Sequence, residues 1–168
     1  MLGSTTSETF EQENGVPQGA VLSVTLFLIT INDILKNIES KTKALLYADD
    51  LIIYSADQKN EVISSNIQKT VNKLQNWSNL IGLQFNEAKT VAIRFSRKYK
   101  QEPPKQLTLN NKPITFVEST KYLGVIFDRK LNFKEHIKSL KSKCNNKLNI
   151  LKLLSNSNFG SDQKVRLG

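Results

Sequence analysis

The tetrapeptide Tyr47-Ala48-Asp49-Asp50 constrains the fold of this chain more than any other stretch, because it sets two adjacent carboxylates between two apolar runs. Residues 44–47 and 51–54 predict two β-strands joined by a tight acidic turn. Two anions beside apolar β-structure repel each other and are costly to desolvate, unless a cation lies between them or the turn faces water. The tetrapeptide is therefore either a solvated hairpin tip or a metal site, and its flanking sequence decides between them.

The length and cysteine content narrow the class of protein. The 168 residues have the composition of an ordinary globular chain, which predicts one compact domain. Single Cys144 and His136 residues exclude an internal disulfide and a Cys/His zinc cluster built from this chain alone, and a reducing, intracellular location is expected. No run approaches the roughly 20 apolar residues of a membrane span, and no signal peptide is recognised. We therefore expect a soluble protein without a membrane partner.

Positive charge is concentrated in the second half of the chain. Residues 1–84 contain 6 Lys and Arg against 9 Asp and Glu, whereas residues 85–168 contain 18 against 6. Because Lys and Arg neutralise phosphates and carboxylates hold divalent cations, this asymmetry favours a polyanionic partner beside a metal-dependent site. A solvated, Lys-rich helical face is the alternative interpretation.

Hydrophobic periodicity predicts three helices and several short strands. The first helix, from Ala20 to about Ile38, is apolar around most of its circumference and is expected to be largely buried. The other predicted elements are an amphipathic helix from Asp57 to Gly82, a strand over 91–95, a hairpin over 107–117, a strand over 121–127 and a Lys-bearing helix over 132–154.

A glycine-rich loop, Gly15-Val16-Pro17-Gln18-Gly19, precedes the first predicted helix. Pro17 lacks a backbone donor and restricts its neighbour, while the two glycines permit unusual backbone angles. Such a loop lets the backbone approach a ligand closely.

Four sequence blocks resemble those of the reverse transcriptases, especially the enzymes of non-LTR retrotransposons. The blocks are GVPQGAVLS at 15–23 with LFLITINDI through residue 34, YADD at 47–50, GLQFNEAKT at 82–90, and KYLGVIFDRKLNFKEHI at 121–137. They follow the family order over almost the whole chain. The resemblance implies an α+β fold: a partial polymerase palm at 1–130, with an antiparallel sheet and packed helices, and the start of a helical thumb at 131–168.

By this resemblance, Asp49 and Asp50 are the metal ligands of an RNA-directed DNA polymerase. The implied cofactor is a pair of Mg²⁺ ions, or Mn²⁺ in their place, which activate the primer 3′-hydroxyl and stabilise the leaving pyrophosphate. A hairpin suits this role because its ladder holds the carboxylates in place. Tyr47 would lie on the same face as the first Asp and support the nucleotide or primer, unless it is only a half-buried strand aromatic.

Two further groups of residues are implied near the nucleotide. Pro17, Gln18 and Gly19 would lie against the incoming nucleotide and the templating base. Lys89 is a candidate proton donor to the departing pyrophosphate. The alternative for Lys89 is a solvated charge at a strand edge.

The last block is implied to position the primer through Tyr122, Leu123 and Gly124, although Leu123 could equally be part of the core. The Lys-bearing C-terminal helix would contact duplex phosphates without reading sequence. His136 matches a frequent family position, for which a structural role is the expectation.

One part of the family pattern is missing from the sequence. The polymerase site needs a third carboxylate from an upstream strand of the form aromatic-x-Asp, and nothing before Gly15 supplies it. The fingers blocks are also absent. We therefore expect a marginally stable fragment that is inactive alone and is completed by the upstream part of the same polyprotein. Its expected partners are an RNA template, a DNA primer, their duplex and deoxynucleoside triphosphates.

Two other functions compete with the polymerase. A relic of such a domain could hold nucleic acid through its basic half without catalysis. An RNA-binding domain of the four-stranded type is disfavoured, because no strand carries the adjacent aromatic pair that such domains use for stacking.

Overall fold

The structure, a computed structural model, describes residues 15–17, 19–98 and 103–155. Its helices are α1 (Val21–Asn32), α2 (Asn60–Ile81) and α3 (Lys134–Leu154), with a 3₁₀ helix at Asp33–Asn37. The strands are β1 (Lys43–Tyr47), β2 (Asp50–Tyr54), β3 (Val91–Ala92), β4 (Thr108–Leu109), β5 (Lys112–Pro113), β6 (Thr115–Phe116), β7 (Ser119–Tyr122) and β8 (Val125–Asp128). The mixture of helices and short, mostly antiparallel strands confirms the predicted α+β class.

Strands of the described residues pair two by two. The pairs β1–β2, β4–β5 and β7–β8 are antiparallel, and β3–β6 is parallel. The described residues divide into two compact units, the first within Met1–Thr90 and Pro103–Ile114, the second within Val91–Glu102 and Thr115–Gly168. The predicted boundary between palm and thumb near residue 130 stays a prediction.

Helix α2 supplies the centre of the first unit, because its apolar side chains recur every three or four residues along one face. The helix starts at Asn60 and ends before Gly82, close to the predicted bounds. Full burial of such a side chain contributes about 1.5–3 kcal/mol relative to exposure. Among the described residues of this unit, the buried apolar side chains are Ile34, Val71, Leu74, Leu107, Leu109 and Ile114.

Two glutamines of α2 fasten the β4–β5 hairpin to the helix. The Gln68 amide accepts from the Thr108 N–H at 2.8 Å and donates to the Thr108 carbonyl oxygen at 2.9 Å, while Gln75 accepts from the Asn110 N–H at 3.1 Å. Asn110 and Asn111 form the turn with φ of 50° and 62°, values that Asn tolerates and that short hairpin loops need. The predicted turn is confirmed, but the paired strands are only two residues long, and Thr115–Phe116, predicted to belong to this hairpin, pairs with β3 instead.

Helix α1 corrects the prediction that it would be largely buried. Val21, Leu22 and Ile29 are 91%, 71% and 63% exposed, and Ser23 is the buried residue of this helix. Hydrophobic periodicity indicates which side chains would be stabilised by burial. It does not indicate whether the chain contains a surface against which they can pack. Neither α1 nor any other helix of the described residues has the length and hydropathy that crossing a membrane requires.

The second unit contains the β7–β8 hairpin and helix α3. The single strand predicted over 121–127 is wrong, because Leu123 and Gly124 form a two-residue turn and Tyr122 pairs with Val125 across it. Gly124 takes φ of 88°, which glycine adopts freely, whereas Leu123 takes φ of 45°, which is rare for a bulky residue. Leu-Gly is not one of the common turn pairs, so turn chemistry does not predict this reversal.

Candidate active site

Asp49 and Asp50 lie at the tip of the β1–β2 hairpin. Tyr47 is directly opposite Asp50 in this antiparallel pair, and Ala48 and Asp49 form the two-residue loop between them. Asp50 is therefore the first residue of β2, while Asp49 belongs to the turn, and both residues are exposed. The predicted sequence of strand, tight acidic turn and strand is confirmed.

Tyr47 shares a face of the hairpin with Asp50, which corrects the prediction that it lies on the face of Asp49. Directly opposed residues of an antiparallel pair project to the same side, with their Cβ atoms about 4.5–5.5 Å apart. Tyr47 is 64% exposed, so it is not a half-buried strand aromatic. Its ring and the Asp50 carboxylate belong to one accessible surface.

The turn between the strands holds a strained residue. Ala48 has φ of 51°, the left-handed region in which an L-residue with a Cβ atom is disfavoured by about 1–2 kcal/mol. The surrounding ladder must stabilise this conformation. Strained backbone of this kind clusters at functional sites, where it fixes the direction of neighbouring side chains.

The base of the hairpin is fixed by a buried group of hydrogen bonds on one side and by an exposed one on the other. Thr42, immediately before β1, is 5% exposed and its hydroxyl oxygen lies 3.1 Å from that of Thr70 in α2, which is fully buried. Both hydroxyls reach the Asn66 carbonyl oxygen, at 3.0 Å from Thr70 and 3.5 Å from Thr42. On the other side, the Ser55 hydroxyl donates to the Lys41 carbonyl oxygen at 2.9 Å. The hairpin is therefore anchored at its base and open at its acidic tip.

The carboxylate oxygens at the tip are the kind of ligand that a hard divalent cation prefers. Mg²⁺ prefers oxygen ligands and is commonly held by one or two carboxylates together with substrate phosphates. The described residues contain no group of three or more His, Cys, Asp or Glu side chains that could hold a metal. Asp49 and Asp50 thus fit a site that relies on further oxygen ligands from a substrate or from another segment.

The glycine-rich loop is attached to the first turn of α1. The Ser23 hydroxyl donates to the Pro17 carbonyl oxygen at 2.6 Å, and the Ala20 N–H donates to the same oxygen at 3.4 Å. Gly19 has φ of 89°, and a Cβ atom placed on it would meet none of the described residues within 4 Å. The backbone at Gly19 is therefore open to an approaching ligand. Gln18 lies outside the described residues.

Lys89 lies in a turn that follows α2, not at a strand edge. Its N–H donates to the Asn86 carbonyl and side-chain oxygens at 3.2 and 3.1 Å. The side chain is exposed and forms no ion pair with a carboxylate of the described residues. Its role as a proton donor stays a prediction.

Glu87 ties the turn of Lys89 to the β4–β5 hairpin. Its carboxylate pairs with the Lys112 ammonium at 2.5 Å and accepts from the Asn110 amide at 2.8 Å. The hydrogen bond from Lys112, followed by that from Asn110, lowers the pKa of Glu87 below its ordinary value. The ionised form of Glu87 is thus part of the folded state.

Tyr122, Leu123 and Gly124 form the tip of the β7–β8 hairpin in the second unit, where Leu123 and Gly124 are exposed and Tyr122 is half-buried. Leu123 is 50% exposed, so it is not a core residue, and a Cβ atom on Gly124 would meet nothing within 4 Å. One residue pair from this tip, His136 Nδ1 accepts from the Ile126 N–H at 3.4 Å, which is a structural contact.

The structure places the sequence-predicted residues that it describes, apart from Lys89, in three separate elements. These are the acidic tip with Tyr47, Asp49 and Asp50, the loop with Pro17 and Gly19, and the tip at residues 122–124. Sequence reasoning missed the residues that hold these elements, because Ser23, Thr42 and Thr70 have ordinary polar side chains whose partners are set by the fold. A signal for Thr70 existed, since it lies on the apolar stripe between Ile67 and Val71.

Comparison with known proteins identifies the family. The family described as "Reverse transcriptase (RNA-dependent DNA polymerase)" matches residues 1–127. The chain belongs to the reverse transcriptase family. This reverse transcriptase chain is similar to the RNA-directed DNA polymerase from mobile element jockey of Drosophila funebris, with 27% identity over 163 residues. That alignment covers 92% of the chain and 18% of the jockey protein.

Two other relatives extend this similarity. The reverse transcriptase chain is 30% identical over 149 residues to the probable RNA-directed DNA polymerase from transposon BS of Drosophila melanogaster, covering 84% of the chain and 16% of that protein. It is 22% identical over 158 residues to a Pol polyprotein from type-1 retrotransposable element R1 of Nasonia vitripennis, covering 90% of the chain and 46% of that protein. These matches place the chain in the non-LTR retrotransposon branch of the reverse transcriptase family. No solved structure matches significantly.

Proposed function

We propose that this chain contributes the acidic hairpin of an RNA-directed DNA polymerase that uses two-metal nucleotidyl transfer. The observation that carries the proposal is the exposed pair Asp49 and Asp50 on an anchored hairpin, in a chain of the reverse transcriptase family. The substrates are deoxynucleoside triphosphates and a DNA primer annealed to an RNA template.

Asp49 and Asp50 would hold the divalent cations, for which Mg²⁺ is the proposed species and Mn²⁺ an alternative. When bound, the metal ions supply activation of the primer 3′-hydroxyl and neutralisation of the phosphate charge. The hairpin contributes orientation, because its ladder and its anchored base limit the movement of both carboxylates. Tyr47, on the same face as Asp50, would support the nucleotide or the primer terminus by stacking.

The glycine-rich loop and Lys89 complete the proposed nucleotide contacts. The backbone at Pro17 and Gly19 would lie against the incoming nucleotide, and the open space over Gly19 supports this assignment. Gln18 would contribute to the same contact. Lys89 would donate a proton to the departing pyrophosphate.

The second unit would bind the nucleic-acid duplex. Tyr122, Leu123 and Gly124 would position the primer, and α3 would contact phosphates. Helix α3 contains six Lys and one Glu, and its side chains are exposed over most of its length. Such contacts give affinity without sequence preference and weaken as salt is added.

We propose further that these residues do not sustain catalysis without a third carboxylate. The chain spans less than a fifth of the length of the jockey and BS proteins, so an upstream segment of a longer polyprotein is the proposed source. An in-frame strand of the form aromatic-x-Asp encoded upstream of Met1 would support this source.

Primer extension on an RNA template with Mg²⁺ tests the proposal. The chain alone is expected to add no nucleotide, whereas the chain extended by the upstream reading frame is expected to add nucleotides. Asp49→Ala in the extended protein should abolish the addition, and Glu61→Ala, an exposed carboxylate on α2, should not. Incorporation by the chain alone that Asp49→Ala abolishes would contradict the need for a third carboxylate.

A non-catalytic nucleic-acid-binding relic is the second candidate, favoured by the exposed lysines of α3. It predicts salt-sensitive binding of the duplex by a chain whose extended form adds no nucleotide. The primer-extension experiment therefore distinguishes the two candidates.

A further inference from the structure

The segment between β8 and α3 folds around one carboxylate. Asp128 Oδ2 accepts from the Phe133 N–H at 2.6 Å, while Oδ1 accepts from the Lys130 and Asn132 N–H groups at 3.0 and 3.2 Å. Three backbone donors converge on the last residue of the hairpin. Hydrogen bonds to a charged acceptor are roughly twice as strong as neutral ones.

This segment contains strained backbone that needs such support. Leu131 and Phe133 have φ of 54° and 56°, and neither residue is of a type that adopts the left-handed region readily. A residue with a Cβ atom pays a steric cost in this conformation and keeps it only where the surrounding structure enforces it. The three N–H groups that donate to Asp128 lie within this strained stretch. The carboxylate therefore stabilises a backbone conformation that these residues would otherwise not adopt.

Two further contacts fix the start of α3 on the same strand. The rings of Phe127 and Phe133 meet edge to face with centroids 5.9 Å apart. His136, in the first turn of α3, accepts from the Ile126 N–H of β8. The direction of α3 relative to the hairpin is therefore set within a few residues of Asp128.

The two surfaces that this joint connects are the ones proposed to bind the duplex. One is the hairpin tip at residues 122–124, and the other is the row of α3 lysines. Two sites joined rigidly bind a common partner more tightly than the same sites joined loosely, because their relative position is ordered before binding.

We propose that Asp128 is a positioning residue for duplex binding, which fixes the angle between the Tyr122–Gly124 tip and the lysines of α3. This inference rests on the proposed binding of duplex by the second unit. Burial of the Asp128 carboxyl raises its pKa, but the hydrogen bonds from Asn132, Phe133 and Lys130 outweigh that effect and leave the pKa below its usual value. Asp128 thus acts as a carboxylate near neutral pH.

The sequence provides a direct way to measure the angle. Cys144, the only cysteine of the chain, is exposed on α3, and Lys121 on β7 is exposed beside the hairpin tip. Nitroxide labels on Cys144 and on an introduced Lys121→Cys report the distance between the two elements by double electron–electron resonance. The otherwise unchanged chain should give a narrow distance distribution. Asp128→Ala should broaden it, and Asp128→Asn, which keeps one acceptor oxygen, should broaden it less.

Duplex affinity is measured on the same chain with an RNA/DNA hybrid. Asp128→Asn removes one negative charge and so raises the net charge by one. Glu135→Gln, on the exposed first turn of α3, makes the same change in charge. If only charge mattered, both changes would raise affinity for a polyanion. We expect Glu135→Gln to keep or raise the affinity and Asp128→Asn to lower it, by about fivefold, through lost preorganisation.

An unchanged distance distribution in both Asp128 variants would overturn the inference, as would loss of α3 helicity in both, which would indicate a folding role. Equal affinity gains in Asp128→Asn and Glu135→Gln would also overturn it. If the unsubstituted chain binds no duplex, the proposed function of the second unit is wrong, and the spin-label distances still decide whether Asp128 sets the angle.

Discussion

The hydroxyl oxygens of Thr42 and Thr70 lie 3.1 Å apart in the interior and join the base of the acidic hairpin to helix α2. Each hydroxyl can donate one hydrogen bond, and with the Asn66 carbonyl oxygen the pair satisfies both groups. A small polar cluster thus holds the strand that leads to the proposed metal ligands.

The first prediction concerns this pair. Thr70→Val should lower the free energy of unfolding by about 1–2 kcal/mol, because it leaves the buried Thr42 hydroxyl with a poorer partner. Thr42→Val should have a similar cost. The double variant should cost less than the two single variants together, since two apolar groups of the same shape replace the whole interaction. Urea denaturation of all four proteins measures the coupling, and strict additivity would contradict it.

The second prediction concerns the strained turn. Ala48→Gly removes about 1–2 kcal/mol of strain from the folded state. It also stabilises the unfolded chain by about 0.4–1 kcal/mol, because glycine has more conformational entropy there. The net change in the free energy of unfolding should therefore be neutral to stabilising. Ala44→Gly, in the middle of β1, is the matched control and should destabilise by roughly 0.5–1 kcal/mol. Equal destabilisation by both changes would show that Ala48 is not strained in solution.

The third prediction concerns metal binding by the acidic tip. Titration with Mn²⁺, followed by NMR, should broaden the backbone amides of residues 47–51 before others, because the paramagnetic ion would bind the two carboxylates. Asp49→Asn and Asp50→Asn should each weaken the effect, and the double variant should abolish it. Glu61→Gln serves as the control for loss of an exposed carboxylate. Uniform broadening across all acidic surfaces would exclude a preferred site at the hairpin.

The fourth prediction concerns the glycine-rich loop. Ser23→Ala should speed hydrogen exchange at the Ala20 amide by about fivefold to tenfold, the factor that corresponds to losing a hydrogen bond of about 1 kcal/mol. Thr30→Ala removes a hydroxyl of the same helix that donates to the Leu26 carbonyl oxygen, and it should leave the loop unaffected. Identical exchange in the two variants would show that Ser23 does not hold the loop.

The fifth prediction concerns acid sensitivity. Because the folded-state pKa of Glu87 lies below its unfolded value of about 4.3, its contribution to stability is present above that pH and is lost as the pH falls through the folded pKa. Thermal melts of the unsubstituted protein and of Glu87→Gln should therefore differ at neutral pH and converge once the pH has fallen below the lowered, folded-state pKa of Glu87. The control variant Glu61→Gln should follow the unsubstituted protein throughout. A difference that persists at low pH would contradict the role of the ionised carboxylate.

Sequence patterns correctly predicted the helices, strands and turns that depend on residues close together in the chain. The spacing of apolar residues in α2, the acidic turn after Tyr47 and the Asn110-Asn111 pair each depend on neighbours a few positions away. The Leu123-Gly124 turn escaped because its first residue adopts a backbone conformation that its side chain disfavours. There, tertiary context overrides local preference.

The candidate site divides in the same way. Asp49 and Asp50 were identified from their motif, but the residues that hold the site interact over longer separations in the chain. Thr42 and Thr70 are 28 positions apart, and Gln68 binds Thr108 across 40 positions. No periodicity encodes such pairs. The exposure of α1 could not be foreseen either, because burial depends on whether a partner surface is present.

Because the acidic hairpin is attached at its base, a small rotation there produces a larger displacement of the carboxylates at its tip. Five residue steps lead along the strand from Thr42 at its base to Tyr47 at its tip, a length of about 16 Å at the usual rise per residue. A rotation of only about 4° at the base would move the carboxylates by about 1 Å, a displacement that can change a reaction rate by about a hundredfold. Substitutions at Thr42 or Thr70 would then look like active-site lesions in a kinetic assay, although neither side chain is near the reacting atoms.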